Sequence, residues 1–278
     1  MAIKTGINAA INGVSTARGW QVTYNAATQK GVASNTKGGP ARAAGNTDWK
    51  GSYTAYGHTP SVWVGEKFTF LGSEDGAVGV SGAAIVDTIS MTIDIEGGTI
   101  IGYTVNFSAN GALTLNAAAV VADATLPTIY SAVQRKVQIK ATSEGAAFAD
   151  IDDVRTVTLN FSAENKSYVS SSTAGATKRE AGNIEATISI SIYESSLDAV
   201  ILPNSIYSVR VFVEAAAYWD ISYMMFGEAS NINVAREGAE VISYTANGAF
   251  TGYARNDAGT MVEGFIKNPA VVTKWPAA

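Results

Sequence analysis

Residues 105–114, VNFSANGALT, return as ISYTANGAFT at 242–251. Five positions are identical and the other five are the conservative pairs Val/Ile, Asn/Ser, Phe/Tyr, Ser/Thr and Leu/Phe. The spacing is 137 residues, and it recurs elsewhere: Ala9-Ala10 with Ala146-Ala147, Arg18 with Arg155, Arg42 with Arg179, Ala44-Gly45-Asn46 with Ala181-Gly182-Asn183, and Tyr56 with Tyr193. A shared turn explains one such match but not a series at constant offset, so the chain reads as two copies of one unit. Half of 278 residues is an ordinary domain size, large enough to bury a core of its own. The implied organisation is a first module at 1–114, a linker at 115–136, a second module at 137–251 and a carboxyl tail at 252–278.

Within each copy the dominant signal is period-two alternation, which puts one face of a strand on a core. Trp20, Val22 and Tyr24 alternate with polar residues, as do Val157, Leu159 and Phe161. A run of Gly, Ser, Thr, Asn, Ala and Lys without periodicity follows at 25–47 and again at 162–183, and predicts a long loop after the first strand. The next strands carry Trp49, Gly51, Tyr53 and Ala55 against Ala186, Ile188, Ile190 and Ile192. A short helix is then expected in each copy, capped by Thr59 with Pro60 at its first position and ended by Gly65, and capped by Ser195-Ser196 before LDAVIL. A hairpin closes each copy: Ile89, Met91, Ile93 and Ile95, a turn at Gly97-Gly98, then Ile101, Tyr103, Val105 and Phe107; the second copy turns near Glu237-Gly238. The fold class is mainly β: two tandem sandwich-like or barrel-like modules, each with one short α-helix and a long loop after the first strand.

Composition narrows the function. Charged residues are 15% of the chain, a low fraction that suits a surface largely covered by partners. With no cysteine, thiol catalysis, zinc-thiolate sites and disulfides are excluded. The amino terminus lacks the apolar stretch of a signal peptide and no apolar run approaches the ~18 residues of a membrane span, so the expectation is a protein that is neither secreted by a cleaved signal nor membrane-bound. His58 is the single histidine, and its counterpart is Ser195, which favours a structural role. The carboxylates of FADIDD, Asp150, Asp152 and Asp153, lack calcium-loop spacing and read as a solvated turn. No nucleophile elbow, phosphate loop or dinucleotide fingerprint occurs. The expectation is a protein without enzymatic activity or cofactor.

The order of these features resembles the tail tube, or major tail, proteins of long-tailed bacteriophages. The resemblance rests on ARGWQVTY, the long polar loop, DWKGSYTAYG, the helix signal, and AAIVDTISMTIDIEGGTIIGYTVNFSANGALT, echoed by ASNINVAREGAEVISYTANGAFT. It covers most of both halves, in pattern and order rather than in an invariant signature. It implies β-sandwich modules that join into a ring, rings that stack into a tube within the virion, assembly in the host cytoplasm, and DNA passing through the lumen without specific binding. Relatives of this kind carry one module per chain and six chains per ring, so a doubled chain implies a homotrimeric ring, with other tail proteins at the tube ends. The loop cations Lys30, Lys37, Arg42, Lys166, Lys178 and Arg179 are the expected inter-ring contacts. Asp94, Glu96, Asn233 and Glu237 are the expected lumen-facing residues. Competing readings are another virion ring or decoration protein of related fold, and a non-enzymatic carbohydrate-binding β-sandwich pair.

Overall fold

The computed structural model describes residues 9–32, 39–74, 76–121, 129–133, 135–141, 147–194, 201, 205–215, 217–227, 231–235, 241–250, 253–255, 261–263 and 266–267. The first half holds β1 (Ala9–Ile11), β2 (Ala17–Gly31), β3 (Ala41–Tyr56), β4 (Lys67–Glu74), β5 (Gly79–Asp94) and β6 (Gly102–Ala117). The second half begins with β7 (Val137–Ala141), β8 (Ala149–Ile151), β9 (Val154–Ala163), β10 (Lys166–Tyr168), β11 (Lys178–Glu180) and β12 (Ile184–Glu194). It continues through β13 (Ile206–Phe212), β14 (Tyr218–Phe226), β15 (Asn231–Ala235) and β16 (Val241–Phe250), then the short β17 (Tyr253–Arg255), β18 (Met261–Glu263) and β19 (Ile266–Lys267). The chain is mainly β, and all its named strand pairs are antiparallel.

Hydrogen bonding in the first half runs β1-β4-β5-β6-β3-β2, and in the second β8-β7-β13-β14-β16-β12-β9, with β15 added on β16 and β19 on β14. β5 joins the two. Its first part pairs with β4, from Lys67 opposite Ile85 to Ser73 opposite Gly79, and past Asp87 it pairs with β9, from Thr88 opposite Ser162 to Asp94 opposite Thr156. The register fixes the core: Ile89 faces Phe161, Met91 faces Leu159 and Ile93 faces Val157, all nearly inaccessible. The buried apolar residues of both halves therefore form one contiguous cluster, where the sequence suggested a core for each. In the first half its hub is Phe107, whose ring lies 6.0 Å from Trp49, 6.3 Å from Tyr53, 5.5 Å from Phe68 and 4.8 Å from Phe70. Gly51 leaves room for that ring, because a Cβ there would meet Phe107 at 2.6 Å and the Gln21 carbonyl at 2.7 Å.

Three expectations need correction. Residues 59–65 form turns and bends, not a helix. Val62, Trp63 and Val64 are consecutive and all buried, which a single helical turn with one inward face cannot provide. Of the helix expected at 195–202 only residue 201 is among the described residues, and the only helical element among them is the 3-10 turn Ser171–Thr173. Residues 25–31 and 41–47 are not loop: β2 and β3 stay paired out to Gly31 and Ala41, as an arm exposed on both faces, and residues 33–38 of the expected loop lie outside the described residues. Periodicity fails there because neither face meets a core. The run 162–183 likewise contains the hairpin β10–β11.

The third correction concerns the repeat itself. Tyr53 lies opposite Val105, and its counterpart Ile190 lies opposite Ala246, while Ile242 faces Glu194. Val105 and Ile242, matched by sequence, are thus four residues out of structural register. YTVNFSANGA in β6 is answered by YTANGA in β16: the sequence match at the shared Ala-Asn-Gly has an offset of 137, while the pairing with β3 and β12 holds an offset of 141 from Tyr103 and Tyr244 as far as Ser108 and Ala249. β6 takes up the longer sequence with register shifts against β5 and with Gly111 at φ +151°.

Candidate functional site

Directly opposed residues in an antiparallel sheet share a face, so the pairings can be followed across strands. One row runs Thr54, Thr104, Ser90, Asn160, Thr187 over β3, β6, β5, β9 and β12. A second runs Gln21, Ser52, Asn106, Thr88, Ser162, Glu185 from β2 to β12. A third runs Thr92, Thr158, Ser189, Asn247 on to β16. Neighbours within rows bond to one another: Asn106 Nδ2 donates to Thr88 Oγ1 at 2.8 Å, and the hydroxyls of Thr92 and Thr158 lie 3.4 Å apart. The opposite face carries the core residues Tyr53, Val105, Ile89, Phe161 and Ala186. The sheet therefore presents one face of hydroxyls and amides spanning both halves, with charge entering at Lys50, Asp94 and Glu185.

At the rim of this face the two halves are clamped. β9 bulges at Arg155, since Val154 opposes Ile192 and Thr156 opposes Ser191. The freed Arg155 carbonyl accepts the N–H groups of Ile95 at 2.8 Å and Glu96 at 3.1 Å. Arg155 also donates Nη2–H and Nε–H to Glu96 Oε2 at 2.6 and 2.8 Å, and stacks 4.0 Å over the Tyr193 ring, whose hydroxyl donates to Glu96 Oε1 at 2.8 Å. The Tyr193 hydrogen bond, with Arg155 behind it, holds the Glu96 carboxyl below the ordinary glutamate range. Such a group binds fewer protons folded than unfolded, so its contribution is complete above the ordinary glutamate range and is lost as pH falls through the lowered folded value. Urea midpoints of the wild type and Glu96→Gln should differ at pH 7 and converge in strong acid; a gap that persists unchanged would show that the carboxylate charge does not hold the turn.

A second tie joins the second-half arm to the first half. Thr47 N–H donates to the Gly175 carbonyl at 2.9 Å and Thr177 N–H to the Thr47 carbonyl at 3.0 Å. Arg179 grips Asp48 through two bonds, at 3.0 and 2.8 Å, and donates to the Ala109 carbonyl at 2.8 Å. The loop 57–66 adds an aromatic contact, Trp63 stacking on Trp219 at 5.7 Å with Phe161 beside both. His58, buried, lies 2.7 Å through Nε2 from Glu214 Oε1.

The candidate residues fall into separate places. Asp94 lies in a polar row opposite Thr156 and accepts the Gly97 N–H at 2.8 Å; Glu96 belongs to the clamp. Asn233 is in β15 opposite Ser243, and Glu237 lies outside the described residues. Lys30 and Arg42 oppose one another on the exposed arm, while Lys37 lies outside the described residues. Lys166 is exposed and 3.5 Å from Glu164, and Lys178 opposes Tyr168. Arg179 is engaged within the chain. Asp150 of FADIDD accepts from Gln138 at 2.7 Å and Lys136 at 3.2 Å. Sequence reading missed the polar face as a unit, although its signal, Ser, Thr and Asn at every second strand position, was present. No model of a known protein family matches the chain, and no curated protein matches it.

Proposed function

We propose that the chain is a structural virion protein, a duplicated tail-tube unit that polymerises into stacked rings of three chains around a bore through which DNA passes. The observation that carries this reading is the continuous antiparallel sheet across both halves, with one face built mainly of hydroxyls and amides, in which β2 and β15 are among the strands that, among the described residues, pair on one side only, as β1, β8 and β19 also do. An open strand edge is a site for pairing with another chain, and repeated head-to-tail pairing gives a ring where the rotation between copies closes. A wall of hydroxyls and amides suits transit, because each cationic contact to phosphate adds affinity and slows passage. The recurrence of one strand order in both halves supports the duplication, and the resemblance in sequence supports the tail-tube assignment and its location in the virion tail.

Negative-stain microscopy of the concentrated protein tests this: hollow tubes of stacked rings are expected, and monomers at every concentration would refute it. The exposed arm is part of the same reading. Lys30 opposite Arg42 places like charges together, which is unfavourable until acids of another copy meet them. Neutralising Lys30, Lys37 and Arg42 to Gln should weaken tube formation at least several-fold, measured by sedimentation, with an unchanged circular dichroism spectrum. Normal tubes from that variant would remove the arm's electrostatic role.

A further inference from the structure

The internal junction between β5 and β9 has a receiving side and an inserting side, and each occurs a second time in the chain. The receiving side recurs at an offset of 137. β2 bulges at Arg18, with Ala17 opposite Ala55 and Gly19 opposite Thr54, as β9 bulges at Arg155. Tyr56 N–H donates to the Thr16 carbonyl at 3.0 Å, as Tyr193 N–H donates to the Asp153 carbonyl at 2.9 Å. Arg18 lies 4.7 Å over the Tyr56 ring, as Arg155 lies over Tyr193. Among the described residues this second receiving side is unfilled: Trp20 and Val22 are half-buried and Tyr24 is 49% exposed, where Val157, Leu159 and Phe161 are 0%, 0% and 1%.

The inserting side recurs as β15. Ser90 of β5 lies opposite Thr104, and Asn231 of β15 lies opposite Thr245, the counterpart of Thr104. β15 thus holds the place of residues 90–94 against β16 and, among the described residues, has no strand on its other side. The sequence agrees, with Ile95-Glu96-Gly97 after β5 answered by Arg236-Glu237-Gly238 after β15.

Resting on the self-assembly reading, we propose that β15 of one copy pairs antiparallel with β2 of a second copy, from Asn231 opposite Thr23 to Ala235 opposite Gly19, repeating the β5–β9 junction between chains. Moving that junction along the chain makes two checks of chemistry. It sets Ile232 opposite Val22 and Val234 opposite Trp20, apolar residue with apolar residue, as Met91 stands opposite Leu159. It also carries the Arg179–Asp48 pair onto Arg42 and Glu185, again opposite in charge and both exposed. The first-half arm then lies against the second half of the neighbour in the same ring, as the β10–β11 arm lies against Thr47 and Asp48 within the chain. The contact is head-to-tail, with different surfaces on its two sides, so it adds copy after copy rather than stopping at a pair, and it makes a ring where the rotation between copies closes.

A chain without cysteine makes the test clean. Gln21 and Asn233 are the counterparts of Thr158 and Thr92, whose hydroxyls are 3.4 Å apart in the internal junction. Directly opposed Cα atoms are about 4.5–5.5 Å apart, within disulfide reach. Under mild oxidation of the full chain, Gln21→Cys/Asn233→Cys should give covalent oligomers ending at the closed ring. A mixture of the two single variants should give dimers only, and either variant alone should stay monomeric. A double variant that forms tubes yet runs as monomer on a non-reducing gel overturns this interface while leaving self-assembly intact; dimers from Gln21→Cys alone overturn it in favour of a symmetric edge. A wild-type chain that never assembles refutes the self-assembly reading instead. As a second measure, Arg42→Glu and Glu185→Arg should each raise the concentration needed for assembly at least ten-fold, and the double exchange should restore it; absence of rescue counts against the pairing.

Discussion

Phe107→Ala is expected to lower the free energy of unfolding by about 3–5 kcal/mol. Phe107 is 1% exposed and its ring packs against Trp49 and Tyr53 of β3 and Phe68 and Phe70 of β4. Truncation removes apolar burial and leaves a cavity that the sheet cannot close, since the backbone at Gly51 is fixed by pairing with both β2 and β6. Four aromatic contacts at about 0.5–1.5 kcal/mol each are lost together and overlap with the cavity cost, so the terms do not add. Urea unfolding followed by tryptophan fluorescence measures the change. A loss below about 1 kcal/mol, the average for an arbitrary substitution, would mean that Phe107 is not the hub of this core.

The second large effect contrasts two equivalent positions. Val22→Lys should leave the monomer folded and prevent assembly, whereas Leu159→Lys at the counterpart should prevent folding. Val22 is half-buried at an edge, where a lysine stem can lie along the surface with its ammonium in water. There the charge stands where another strand must pair, the device by which natural sheets block edge association. Leu159 is fully buried opposite Met91, and a charge there has neither water nor a partner. Circular dichroism and sedimentation separate the outcomes. Tubes from Val22→Lys at wild-type concentration would show that β2 is not an assembly edge.

Much of this arrangement was legible in the residues. The strands around Trp49 and Ile188, and the hairpin from Ile89 to Phe107, emerged from alternation because each has one buried and one wet face. The arm of residues 25–31 and 41–47 reads as a loop because alternation records burial, and a two-stranded arm exposed on both faces carries no such record. The cap residue and proline at 59–60 suit a turn as well as a helix, and only packing shows that Val62, Trp63 and Val64 are all buried. Joining of the halves through β5 and β9 could not be read from either strand alone, since apolar alternation specifies a face and not a neighbour. Arg155 and Arg179 are matched to Arg18 and Arg42 by the offset, yet the structure alone pairs the first two with Glu96 and Asp48. The polar rows were present as scattered Ser, Thr and Asn, and only the register aligned them.

The most direct measurement is the mass of one ring in the assembled tube, from mass per length combined with the axial repeat in electron micrographs. Three times the chain mass of 28.9 kDa is the predicted result, because each chain supplies two units and one internal junction. Six chain masses per ring, or a chain that remains a monomer at every concentration, would contradict it.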